Sequence, residues 1–231
     1  MSELRVALVA EGPTDKIVIE AALKAMLPQP FLLNQLQPEA TCPKLGTGWG
    51  GVLRKCLEFA SRGHVRLEDD PILPGYDLIV LHVDADVAES KYEEVSQDIA
   101  EAARAREWPK LPCNLPCPPP DRSAGEMRDR LLKWAGLAAP GPKTVLCVPS
   151  KSTDAWLASA VLAAGHKLLK DLECNLNLEA NLRALPKAQR IKKTTRDYHR
   201  CAEEITKGWS IVRSQCSQAE LFSNDVLAVF G

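Results

Sequence analysis

Three apolar runs in this chain each end in a cluster of polar, chemistry-bearing residues. LRVALVA (4–10) ends at Glu11-Gly12-Pro13, with Asp15 four residues after the glutamate. DLIVLHV (77–83) ends at Asp84-Ala85-Asp86. KTVLCV (143–148) ends at Pro149 and then Ser150 to Asp154. If the strand persists through 84–86, both aspartates point to one face with Cα atoms about 6–7 Å apart. Like charges so placed repel each other, and a divalent cation neutralises them. Two plainer readings stand beside this one: Glu11 as a helix-capping acid, and Asp84-x-Asp86 as a polar loop after a strand.

The surrounding pattern says how such residues are positioned. The Val-rich run 4–10 reads as a buried parallel strand. A helix is expected over 13–27: Pro13 suits the first helical position, Asp15 the positive end of the helix dipole, and Val18, Ala21, Ala22, Ala25 and Met26 form an apolar stripe. Residues 31–36 suggest a second strand and 51–62 a helix. Residues 77–83 read as a central strand, 89–107 as one long helix and 125–135 as another. The stretch 108–122 holds six prolines and reads as a loop. A strand at 143–148, a helix at 152–164 and tail helices at 196–207 and 217–229 complete the chain. Strands alternating with helices predict an α/β fold, a mainly parallel sheet with helices on both faces. In such sheets functional groups gather at the carboxyl ends of the strands. The expected organisation is a core over 1–165 and a helical C-terminal extension over 166–231 packed on it.

Other residues carry less specific signals. His82 points with Asp84 and Asp86 if alternation holds, and reads as a satisfied core histidine before a metal ligand. GTGWGG (46–51) lacks the Lys-Ser/Thr pair of a P-loop, which argues against nucleotide hydrolysis, and reads as a flexible loop near the site. RIKKTTR (190–196) is the best basic patch; Lys192, Lys193 and Arg196 could track a phosphate backbone, or simply be solvated. Trp156 reads as core packing that fixes Asp154. Cys113 and Cys117 lack the second Cys/His pair of a zinc site, and the eight cysteines read as reduced gap-fillers. No Ser-His-Asp set or nucleophile elbow appears.

Composition bounds the function. Twenty-nine basic and thirty acidic residues leave a net charge of −1, so a polyanion must be held by a local patch or a metal. No apolar run approaches the ~20 residues of a membrane span, and the N-terminus lacks signal-peptide features. The expectation is a cytoplasmic protein with no membrane partner.

VALVAEGPTDKIVIEAAL together with LIVLHVDADVAES resembles the TOPRIM domain of topoisomerases, bacterial primases and OLD-family nucleases. Its signature, a Glu-Gly turn at a strand end and a later Asp-x-Asp, matches Glu11-Gly12 and Asp84-x-Asp86. EGPTD and VPSKSTDAWLAS (148–159) look most like the OLD type, with Asp154 where that group usually has Glu. The whole chain also looks like small stand-alone TOPRIM-like proteins associated with bacterial phage defence. The resemblance covers roughly 4–160. It implies a Rossmann-like core and a Mg²⁺- or Mn²⁺-dependent nuclease acting on DNA or RNA, with an ATPase partner protein. Asp84 and Asp86 would be the principal ligands. Glu11 would be a ligand or the general acid/base; Glu11 and Asp15 could share one ion, and Asp154 could complete a second site. Lys151 would stabilise the pentavalent phosphate. The alternatives are a catalytically silent binding scaffold and a nucleotidyl transferase, the latter without the zinc ribbon of primases.

Overall fold

The computed structural model describes residues 3–39 and 46–231. Four strands, β1 (Leu4–Val9), β2 (Phe31–Gln37), β3 (Leu78–His82) and β4 (Thr144–Cys147), form one all-parallel sheet in the order β2-β1-β3-β4. The α/β class expected from the sequence is therefore the observed one.

Side-chain alternation sorts the sheet into two buried faces. Val6, Leu8, Leu78, Val80, Val145 and Cys147 face one apolar cluster. Ala7, Val9, Ile79, Leu81 and Leu146 face the other. Both faces are covered, which is why the strands read as continuous apolar runs. Helices α1 (Pro13–Met26) and α5 (Asp154–Val161) cover the first face. So do the tail helices α7 (Thr195–Lys207), α8 (Trp209–Gln215) and α9 (Ser217–Phe230). Helices α2 (Gly48–Ser61), α3 (Gln97–Ala105) and α4 (Asp121–Trp134) cover the second. A further short helix, α6 (Leu178–Arg183), lies in the tail, which was expected to be helical without these bounds. Tyr198, Trp209 and Phe222 of the tail share a cluster with Val6 and Val80. Trp156 of α5 stacks on Phe222 at 5.7 Å and meets Trp209 edge-on at 5.4 Å. Burying side chains of this size stabilises by roughly 1.5–3 kcal/mol each.

Three expectations need correction. Residues 89–107 are not one helix. The chain makes short 3₁₀ turns at Ala85–Glu89 and Tyr92–Glu94 before α3 begins. Ser90 and Ser96 have extended backbones, and the Ser96 hydroxyl accepts from the Ile99 N–H, so serine capping beats continued helix. GTGWGG is also not simply a loop: Gly48 to Gly51 are the first turn of α2. A Cβ at Gly51 would lie 2.3 Å from Gln37 Nε2 and 2.8 Å from Gly46 O, so only glycine permits this approach. The preceding Lys44 and Leu45 lie outside the described residues.

The third correction concerns the cysteines. Cys117 and Cys174 form a disulfide, with Cα atoms 5.5 Å apart. The Pro-rich segment is not free: Cys113 N and Asn114 N donate to Ala88 O, and Arg130 donates to Lys110 O. Cys117 is thereby brought onto the turn Leu172–Cys174, whose Glu173 carboxylate accepts from the first N–H groups of α9. Cys113 remains free and partly buried; Cys56, Cys147, Cys201 and Cys216 are free and buried; Cys42 lies outside the described residues.

Candidate metal centre

Strand β1 is central, and the chain passes from β1 to β2 on one side and then to β3 on the other. The carboxyl ends of β1 and β3 therefore flank the topological switch point, where parallel sheets bind ligands. Glu11 leaves β1 there and Asp84 leaves β3. The Asp84 N–H donates to Glu11 Oε1 at 2.8 Å, tying the two strand ends together. The Gly48 N–H donates to Glu11 O, which sets the start of α2 beside them.

Asp15, His82 and Asp84 converge in this crevice, all buried, with one ligand atom from each lying within 4.8 Å of the others. Asp15 comes from the first turn of α1. Thr153, just before α5, holds two members: its hydroxyl donates to Asp15 Oδ1 at 2.7 Å and its N–H to Asp84 Oδ1 at 3.3 Å. His82 Nε2 lies 3.1 Å from Asp84 Oδ1, while the buried His82 Nδ1 has no hydrogen-bond partner among the described residues. Each aspartate thus uses one oxygen for positioning. Hard carboxylate oxygens and one imidazole suit Mg²⁺ or Mn²⁺ chemistry. Opposed ligands of such an ion stand about 4.2 Å apart, close to the present spread. The residues fit a metal ion.

Without a cation, the acids crowd one another. Burial pushes the Glu11 carboxyl well above its ordinary range, with Asp84 and Asp15 adding to the rise and His82 opposing it. Burial likewise raises Asp84, reinforced by Asp15, Asp86 and Asp154 and opposed by Lys193. Asp86 is pushed up to about 6 by desolvation, against the pull of Lys193 and Lys151.

The proposed site residues fall into distinct places. β3 ends at His82, and Asp84 caps a 3₁₀ turn, so Asp84 and Asp86 do not share a strand face. The chain turns because Ala85 N and Asp86 N donate to Pro149 O and Lys151 O of the neighbouring strand end. Asp86 consequently sits at the rim, exposed as a residue but with its carboxyl group partly withdrawn from solvent, while Asp84 is buried. Asp154 is buried at the start of α5; its Oδ1 accepts a short hydrogen bond from the Tyr198 hydroxyl and its Oδ2 lies 3.7 Å from Lys193 Nζ. Lys151 is buried, with its ammonium 3.4 Å from Glu89.

The basic patch divides. Lys192, Lys193 and Arg196 are all exposed, Lys193 with 35 % of its side chain accessible. Lys193 faces inward to Asp154 and, at 3.9 Å, to Glu179. Burial works against its charge, but Asp154, Asp84, Asp15 and Glu179 outweigh that and hold the ammonium protonated beyond the usual lysine range.

Sequence reasoning ranked His82 as a core histidine ahead of a metal ligand, and its spacing of two from Asp84 was the signal for its place in this cluster. It held no signal for Thr153 and Tyr198, whose roles depend on packing of α5 and α7. No family model, curated protein or solved structure matches the chain.

Proposed function

We propose that the chain is a metal-dependent phosphodiesterase acting on nucleic acid, a TOPRIM-like nuclease. The observation that carries this reading is the convergence of Asp15, His82 and Asp84 at the sheet's switch point, with Glu11 bonded to the Asp84 backbone. A bound Mg²⁺ or Mn²⁺ would stabilise charge on the attacking and leaving oxygens of a phosphodiester. Asp15, Asp84 and one His82 nitrogen would hold it. Thr153 fixes the two aspartates, so the donor set is arranged before any ion arrives.

Glu11 has one oxygen engaged by Asp84 N–H and the other without a hydrogen bond among the described residues. Burial and the neighbouring Asp84 raise its proton affinity, which suits a group that exchanges a proton with water or with the leaving oxygen. Lys193 supplies positive charge to Asp154, Asp84 and Asp15, and Lys151, paired with Glu89, adds its pull on Asp86. Exposed Lys192 and Arg196 sit on the same segment and suit phosphates further along a strand.

The test pairs binding with cleavage. Calorimetric titration of Mn²⁺ into the wild-type chain should show binding that Asp84→Asn abolishes, and the wild type should cleave plasmid or single-stranded substrates only with metal present. Binding unaffected by Asp84→Asn, or absence of cleavage on DNA and RNA alike with metal bound, would overturn the reading.

A further inference from the structure

Asp154 was the acid available to complete a second metal site, and its surroundings argue against that use. Both of its oxygens are engaged. Oδ1 accepts from Tyr198, and Oδ2 accepts from Ser152 Oγ at 3.3 Å and faces Lys193 Nζ at 3.7 Å. Asp154 and Tyr198 are both almost fully buried, at 2 % and 1 % exposure, so water cannot readily exchange for either partner. Asp154 also stands outside the group of donor atoms formed by Asp15, His82 and Asp84.

Lys193 is placed, not dangling. The Lys192 N–H donates to Asp197 Oδ2 at 2.9 Å and the Thr194 N–H to Lys192 O at 2.7 Å. Thr194 caps α7, and the preceding Ile191 is buried with its N–H on Leu182 O. This tight turn brings the Lys193 ammonium to 3.7 Å from Asp154 Oδ2, where it also acts on Asp84 and Asp15. A tethered cation there needs no stripping of a tightly hydrated divalent ion.

We propose that this chain works with a single metal ion, held by Asp15, His82 and Asp84, and that the Lys193 ammonium, anchored on Asp154, occupies the place of a second cation. The proposal rests on the metal reading above. Asp154 is then a positioning residue, linking the C-terminal helices through Tyr198 and Lys193 to the site.

The experiment counts ions and needs no activity. The full-length protein is dialysed against saturating Mn²⁺ and bound manganese is measured per chain. The wild type and Asp154→Asn should each hold one ion, since Asn keeps an oxygen for Tyr198. Lys193→Met removes the cation facing Asp154 Oδ2, leaving only Ser152 on that oxygen, and a second, weaker ion should appear; Lys193→Met combined with Asp154→Asn should return the count to one. Lys193→Arg, which keeps the charge, should stay at one. Circular dichroism confirms that each variant is folded, and Lys193→Gln replaces Lys193→Met if that variant is not. Two ions in the wild type, one of them lost in Asp154→Asn, would overturn the proposal and leave the metal reading intact. A count that stays at one in Lys193→Met would do the same. No bound manganese in the wild type would overturn both.

Discussion

The carboxylate of Glu11 accepts a 2.8 Å hydrogen bond from the backbone N–H of Asp84, a residue 73 positions further along the chain. This bond joins the ends of two adjacent parallel strands at the point where the sheet order reverses. It uses Oε1, and Oε2 has no hydrogen bond among the described residues.

Glu11→Gln is therefore expected to separate structure from activity. The amide oxygen can still accept from Asp84 N–H, so the melting temperature should correspond to a change of no more than about 1 kcal/mol. Loss of the basic carboxylate should lower cleavage by roughly 10²-fold or more. Wild-type cleavage by this variant would refute a role for Glu11 in proton transfer or metal binding.

The basic segment makes a second, divided expectation. Changing exposed Lys192 and Arg196 to Ala should leave the melting point within about 0.5 kcal/mol of wild type. It should also flatten the salt dependence of duplex binding by a log–log slope of roughly 1.8, because two phosphates no longer meet a cationic side chain. Lys193→Ala should instead reduce turnover more than the salt slope, because its ammonium faces Asp154 and Glu179. Filter binding across a salt series decides it; an unchanged slope in the double variant would remove the patch from the binding surface.

Much of this architecture was legible because buried parallel strands leave a plain signal. LRVALVA, DLIVLHV and KTVLCV are apolar on both faces and end in abrupt punctuation, so their carboxyl ends could be located before the fold was seen. What failed depended on contacts distant in sequence. Asp84 and Asp86 were expected on one face, but Ala85 N and Asp86 N bond to the end of β4 and curl the chain. Lys193 was expected to meet a phosphate backbone with Lys192 and Arg196, and its approach to Asp154 and Glu179 depends on the packing of α7 on α1 and α5. Cys117 and Cys174 are 57 residues apart and share no local motif, so only folding of the Pro-rich segment onto the Leu172–Cys174 turn pairs them.

That pairing has a measurable consequence. Closing a loop of 57 residues restricts the unfolded chain, and the loss of chain entropy at this length corresponds to about 4 kcal/mol. Cys174→Ser should lower the urea midpoint accordingly, and reduction of the wild type should produce the same shift. A midpoint identical with and without reductant would show that the bond contributes nothing to stability in solution. Removing it should leave Mn²⁺ affinity nearly unchanged, since neither cysteine belongs to the donor group of Asp15, His82 and Asp84.

The acid cluster predicts an unusual pH dependence in the absence of metal. Glu11, Asp84 and Asp86 all have carboxyl pKa values raised in the folded state, first by burial and then, for Glu11 and Asp84, by neighbouring acids. A raised acid binds its proton more tightly when folded than when unfolded. Its stabilising contribution is therefore present at low pH and is lost as pH rises through the folded value. For Asp86 the window runs from the ordinary 3.8 to about 6, and Glu11 and Asp84 shift in the same direction. In chelator, the wild type should melt lower at about pH 7.5 than at about pH 5, and Asp84→Asn should shrink that difference. Added Mn²⁺ should reverse the trend, because the ion binds deprotonated ligands and stabilises the fold most where they are already ionised. Calorimetric melting at both pH values, with chelator and with Mn²⁺, tests this directly. A chelated wild type that melts higher at the upper pH, with Asp84→Asn following the same curve, would show that these carboxylates are not held together against their charge.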